Sequence, residues 1–136
     1  MRKNFSSNTV WEDKFGYSRA VRVGNVIEVS GTTAVDGEVV IGKGNIYEQA
    51  KFIFGKIEKA LAEAGAGMED VVRTRMFVTD ISLSEGVGRA HGEFFRDIKP
   101  AASMIEIKGL IHPDLLIEIE VTAIIDNGPA YRQAGN

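Results

Sequence analysis

Apolar and polar residues recur with two different periods along this chain, and the changes of period mark its elements. From Arg19 to Gly31 apolar positions alternate with polar ones, interrupted by Gly24-Asn25. Two alternating runs around such a pair predict a hairpin with a two-residue turn. Asp36-Gly37 predicts a second turn. From Asn45 the spacing lengthens, and Ile46, Ala50, Ile53, Ile57, Leu61 and Ala64 fall on one face of a helix. Asn45 is its expected N-cap, with Glu48 completing a capping box, and Gly65 is its stop. The period returns to two over Val71–Thr79. In that strand Val72, Thr74, Met76 and Val78 share one face, and Arg73, Arg75 and Phe77 the other. Ser82 and Glu85 are the expected capping box of a second helix reaching about Ile98, with Val87, Phe94 and Ile98 inward and Pro100 just past its end. Ser103–Lys108 and Leu115–Ile125 read as the last strands, joined by a loop holding Gly109, His112 and Pro113.

The expected order is β-β-α-β-α-β-β, an α+β chain. Two helices cover only one face of a sheet this size, which predicts a sandwich with its helices on one side. Ile, Val and Met side chains expected on the other face would be exposed in an isolated chain, so the pattern predicts an oligomer. No internal repeat is present. A single domain is expected over residues 1–126, followed by a tail over 127–136 opened by Gly128-Pro129.

Composition narrows the function. At 136 residues and 44% hydrophobic, the chain can bury a real core. It has no cysteine, which removes disulfides, thiol nucleophiles and thiolate metal sites. Met1–Phe5 lacks the apolar run of a signal peptide, and no apolar run is long enough to span a bilayer. These features predict a soluble cytoplasmic protein with no membrane partner. The net charge is −3, with both signs interspersed, and no basic stripe marks a nucleic-acid partner.

The candidate chemistry lies in a few polar residues. Glu118 and Glu120 stand two apart in Ile117-Glu118-Ile119-Glu120-Val121, so both carboxylates share one strand face. Such a pair can serve as a general base and its neighbour; the plainer reading is a solvated face paired to Lys or Arg. His91 falls between Val87 and Phe94 on its helix, where it is either a proton shuttle or a buried histidine with one hydrogen bond. His112 reads as a loop residue. Tyr17 and Ser30 are weak signals alone, and a serine nucleophile would need a base beside it. Gly42-Lys43-Gly44 lacks the Walker spacing and reads as a flexible loop. No metal-ligand spacing is present, and no metal is expected.

Four segments together resemble one family. They are Val23–Gly31, Asp70–Asp80, Pro100–Ile107 and Ile117–Ala123. In this order and spacing they are similar to the Rid family (reactive-intermediate deaminases, also called the YjgF or liver perchloric-acid-soluble protein family), over about residues 15–125. The resemblance implies a chorismate-mutase-like fold and a homotrimer whose sheets form a central barrel, with clefts between neighbouring subunits. It implies hydrolysis of enamines and imines released by pyridoxal-phosphate enzymes, giving a keto acid and ammonia with no cofactor. Some relatives are described as ribonucleases. Tyr17 matches the family's cleft tyrosine, Ser30 its cleft serine, and Glu118 the glutamate that holds the attacking water.

The match departs at one telling place. Active members read Pro-Ala-Arg-Ser where this chain reads Pro100-Ala101-Ala102-Ser103, and a cleft asparagine is replaced by Gly88. An arginine grips a carboxylate through paired hydrogen bonds that alanine cannot make. Losing such a partner costs ~2–5 kcal/mol, so slow deamination of the small serine-derived imine is expected. Arg75 is a candidate substitute, although a surface ion pair is its plainer use. Ser103 and Glu106 flank the hallmark position and point to opposite faces of a regular strand, with Glu106 the better candidate for chemistry. The expected cleft therefore holds a small-molecule ligand among Tyr17, Ser30, His91, Ser103, Glu106 and Glu118, with Glu118 and His91 as the catalytic pair. The alternatives are a trimer that binds a metabolite without turnover and, disfavoured by the acidic balance, an endoribonuclease.

Overall fold

In the computed structural model, which describes residues 1–126, the predicted hairpin turn forms where Gly24 adopts φ +59°, a conformation that glycine reaches without a Cβ penalty. In chain order the elements are β1 (Arg2–Phe5), α1 (Val10–Phe15), β2 (Ala20–Val23), β3 (Val26–Thr33), the short pair β4 (Val35–Asp36) and β5 (Val39–Val40), and α2 (Ile46–Glu63). They continue with β6 (Val71–Val78), α3 (Ser84–Phe95), β7 (Ala101–Glu106) and β8 (Ile117–Ile124). The expected tail over 127–136 lies outside the described residues.

Among the described residues six strands make one sheet in the order β1-β2-β3-β8-β6-β7. Of these pairs β6 with β7 is parallel, joined across the sheet by α3; the other described neighbours are antiparallel. The last strand thus enters the middle of the sheet, between β3 and β6. Both helices α2 and α3 cover one face. Ile27, Val29, Met76, Val78, Ile117, Ile119, Val121 and Ala123 meet Ile53, Phe54, Ile57, Leu61 and Val87 in a single core.

Local chemistry accounts for the helix ends. Asn45 caps α2, its side chain accepting from Glu48 N at 3.1 Å. The expected Ser82–Glu85 box does not form. Asp80 accepts instead from Ser82 N at 2.9 Å and from its hydroxyl at 2.6 Å, in a 3-10 turn over Ile81–Leu83 that feeds α3. The helix ends at Phe95 rather than near Ile98. Gln49 is a buried polar side chain with its amide satisfied: it donates to Gly42 O and Asp114 O and accepts from Leu116 N. It ties the loop before β8 to α2.

The second face differs in detail from the expected one. A register shift between Val71 and Arg73 turns Val72 outward and Val71 inward. Met76 is buried on the helix side and Met104 packs against the core, so neither methionine faces outward. The outer face carries Val26, Ile105 and Ile124, which are exposed, among Glu28, Arg75, Glu118 and Glu120. No helix of the described residues is long and apolar enough to cross a membrane.

Candidate functional site

The central position of β8 brings its two acids beside an irregularity in β3. Pairing of β3 with β8 shifts register between Val29 and Thr32, which places Ser30 and Gly31 in a bulge. Bulges bend a strand and re-aim its side chains. Here the bulge opens room for a carboxylate: a Cβ on Gly31 would lie 2.7 Å from Cδ and Oε2 of Glu118. Glu118 therefore lies on the bare glycine backbone, half-buried on the outer face. Burial pushes its carboxyl above the ordinary value of 4.5, and Glu120 pushes it further, against the pull of Arg19. Glu120 in turn meets Arg75 at 3.6 Å. A cavity of about 240 Å³ adjoins this pair, with Val21, Ser30, Arg75 and Glu120 among its walls.

Tyr17 and Arg19 approach from the chain segment before β2. The segment is anchored by Glu12, buried and accepting from Ser7 N at 3.1 Å. Gly16 closes α1 at φ +76°, and Tyr17 N donates to Glu12 O at 3.0 Å, leaving the phenol exposed. Arg19 donates through Nη2 to Gly31 O at 2.7 Å, across the bulge from Glu118. Burial disfavours its charge, while Tyr17, Glu12 and Glu118 favour it; an arginine so placed stays protonated. Ser30 belongs to the same group, but its hydroxyl donates to Ser18 O at 2.6 Å. That hydrogen bond makes it a bulge fastener with a free acceptor lone pair, not an activated nucleophile.

The remaining expected site residues lie elsewhere in the chain. His91 sits between α3 and the sheet, its Nε2 2.9 Å from Thr74 Oγ1 and its ring between Phe54 and Phe95. Burial lowers its pKa below the ordinary 6.5, which favours the neutral ring. Thr74 faces the helices and Glu118 faces away from them, so the sheet separates His91 from Glu118 within one chain. Ser103 lies on the outer face and accepts from Arg73 Nη2 at 2.8 Å. Glu106 has the opposite parity, and its carboxylate accepts from Ile81 N at 3.0 Å. Both are on β7, two strands from β8 or about 10 Å away, as is the exposed Ala102. A Cβ on Gly88 would meet open space. Among the described residues no three His, Asp or Glu side chains converge as a metal site.

A family profile described as endoribonuclease L-PSP matches residues 12–125. The chain belongs to this family, the Rid/YjgF family. Rv2704 of Mycobacterium tuberculosis, a member described as YjgF/YER057c/UK114, superposes with a TM-score of 0.84 at 43% identity, covering 92% of this chain and 100% of that one. A RutC family protein of Pyrococcus abyssi is 38% identical over 110 residues, 79% of this chain and 84% of its own. The 3-aminoacrylate deaminase RutC of Acinetobacter baylyi is 29% identical over 108 residues, 79% of this chain and 85% of its own. Within this Rid-family fold the structure groups Tyr17, Ser30 and Glu118 and adds Arg19. In the sequence Arg19 reads as an ordinary first residue of a strand. Its signal was parity: Ala20 points into the core, so Arg19 shares the outer face with Glu118.

Proposed function

We propose that the chain is a hydrolytic deaminase of small imines or enamines, working without a cofactor in a cleft between the subunits of a cytoplasmic homotrimer. The observation that carries this reading is Glu118. It is a half-buried carboxylate with raised proton affinity, set on a glycine bulge beside a tyrosine and an arginine. The deaminase activity named for the Acinetobacter relative supports the reaction class.

The reaction consumes one water. Glu118 accepts a proton as the water oxygen bonds to the C=N carbon, and the π pair moves to nitrogen, which takes up a proton. The resulting carbinolamine collapses: its hydroxyl gives a proton back to the group that protonated nitrogen, the C–N bond breaks, a C=O forms, and ammonia leaves with the proton that Glu118 returns. A raised pKa suits a group that both takes and gives a proton. Tyr17, exposed at the rim, supplies a hydroxyl to assist nitrogen. The exposed apolar residues of the outer face and the open rim around Tyr17 are the surfaces a second subunit would cover.

Ammonia release from a mixture of imines by the wild type and by Glu118→Gln tests the reading. Release by the wild type and its loss in the variant are expected. Ligand binding with no release by either would make the protein a non-catalytic binding trimer. The ribonuclease alternative has less support: His91 is under α3, and His112 Nδ1 is taken by Asp114 N at 3.0 Å. Mass measurement in solution should give a trimer, and a stable monomer at micromolar concentration would contradict that assembly.

A further inference from the structure

Arg19 has more positive charge than its own chain uses. Its Nη2 is spent on Gly31 O, while its Nε is buried and has no hydrogen-bond partner among the described residues. It is attracted to Glu118 without forming an ion pair with it. A second cation stands nearby. Lys56 reaches from α2 to donate to Val35 O at 2.8 Å and Thr33 O at 3.1 Å, and it repels Arg19. Half-burying two like charges beside each other is costly unless an anion comes between or next to them. Glu120 is occupied by Arg75, and Glu12 by the Ser7–Thr9 segment. At the far strand Ala102 offers no charge at all.

We propose that Arg19 holds the anionic group of the ligand in this cleft, and that the ligand is a small carboxylate seated on the β2–β3 side of Glu118. This rests on the reading of the Glu118 cleft as the reaction site. The carboxylate lies against the edge of the guanidinium turned away from Gly31 O. The bond to Gly31 O fixes the orientation of the guanidinium, and the bulge sets its distance from Glu118. A single fixed cation selects one carboxylate, and Ala102, paired with Thr74 on the helix-side parity of β7, adds no second charge to this face.

The test uses the full chain with 2-oxobutanoate and its neutral methyl ester as probes. Titration followed by calorimetry should show that the wild type prefers the acid to the ester. Arg19→Gln should weaken acid binding about 30-fold or more, the loss of one charged partner, and leave ester binding unchanged. Arg19→Lys should keep part of the preference. A role confined to fastening the bulge would lower the melting temperature without touching this ratio. If Arg19→Gln does not fold, the Arg19 Nε–H resonance of the wild type should shift with the acid and not with the ester. Equal binding of acid and ester, or a preference that survives in Arg19→Gln, overturns the inference. Ammonia release assayed alongside separates the two claims. Release without carboxylate preference refutes the role of Arg19 alone. Preference without release refutes deamination alone. Neither preference nor release refutes both.

Discussion

Gly31→Ala probes the contact on which the site is built. The φ of Gly31 lies outside the left-handed region, so alanine adds no backbone strain. Its Cβ, however, would sit 2.7 Å from Cδ and Oε2 of Glu118, where ordinary contact begins at 3.4 Å. The carboxylate must move by about 0.7 Å, the difference between those two distances. The clash is with the far end of a flexible side chain, so an off-rotamer cost of ~0.5–1.5 kcal/mol is expected, seen as a melting temperature lower by about 2–6 °C. Catalysis is far less tolerant, since a misplacement of ~1 Å costs about 100-fold. Ammonia release on the best wild-type substrate should therefore fall ~10–100-fold while the protein stays folded. Unchanged activity in a folded Gly31→Ala protein would refute the claim that Glu118 works from this position. Collapse of the fold would show that the contact is structural.

Glu118→Gln should raise the melting temperature at pH 7. A carboxyl whose folded pKa lies above its ordinary value contributes stability only while protonated and loses it as the pH rises through the folded pKa. The gain should disappear below the ordinary value of 4.5, and a variant less stable than wild type at pH 7 would contradict the burial argument. His91→Ala should destabilise by ~2–4 kcal/mol, through the lost Thr74 hydrogen bond and the space left beside Phe54 and Phe95. Because the folded pKa of His91 is depressed, its contribution is present above 6.5 and lost as the pH falls. Melting of the variant should accordingly depend less on pH below that value. A fall in activity much larger than the fall in folded protein would return His91 to the cleft.

The parts of the fold legible in the sequence were those set by burial with a clean period. The apolar stripe of α2, the Gly24-Asn25 turn and the alternation of β8 each face one uniform environment, so spacing alone identified them. The parts not legible depend on neighbours. β1 is a polar edge strand defined by its pairing with β2, and nothing in Arg2–Phe5 requires it. A regular strand puts Val72 on the same face as Thr74, Met76 and Val78, and one register shift gives that place to Val71 instead. Ser82 and Glu85 fit a capping box, but Asp80 outcompeted it through two hydrogen bonds. The acids of β8 were legible as a same-face pair. Their relation to Arg19 was not, because it is created by the bulge at Ser30 and Gly31, far away in the chain, that no residue pattern encodes.

The central claim is that Glu118 takes a proton from water during imine hydrolysis. The most direct test is the pH dependence of kcat/KM for ammonia release, measured for the wild type and Glu118→Gln. The profile reports the ionisation of the free enzyme's base. The wild type should show an acidic limb with its midpoint above 4.5, and the glutamine variant should fall to the uncatalysed rate with no such limb. Ammonia release by Glu118→Gln at the wild-type rate, with the same acidic limb, would contradict the account.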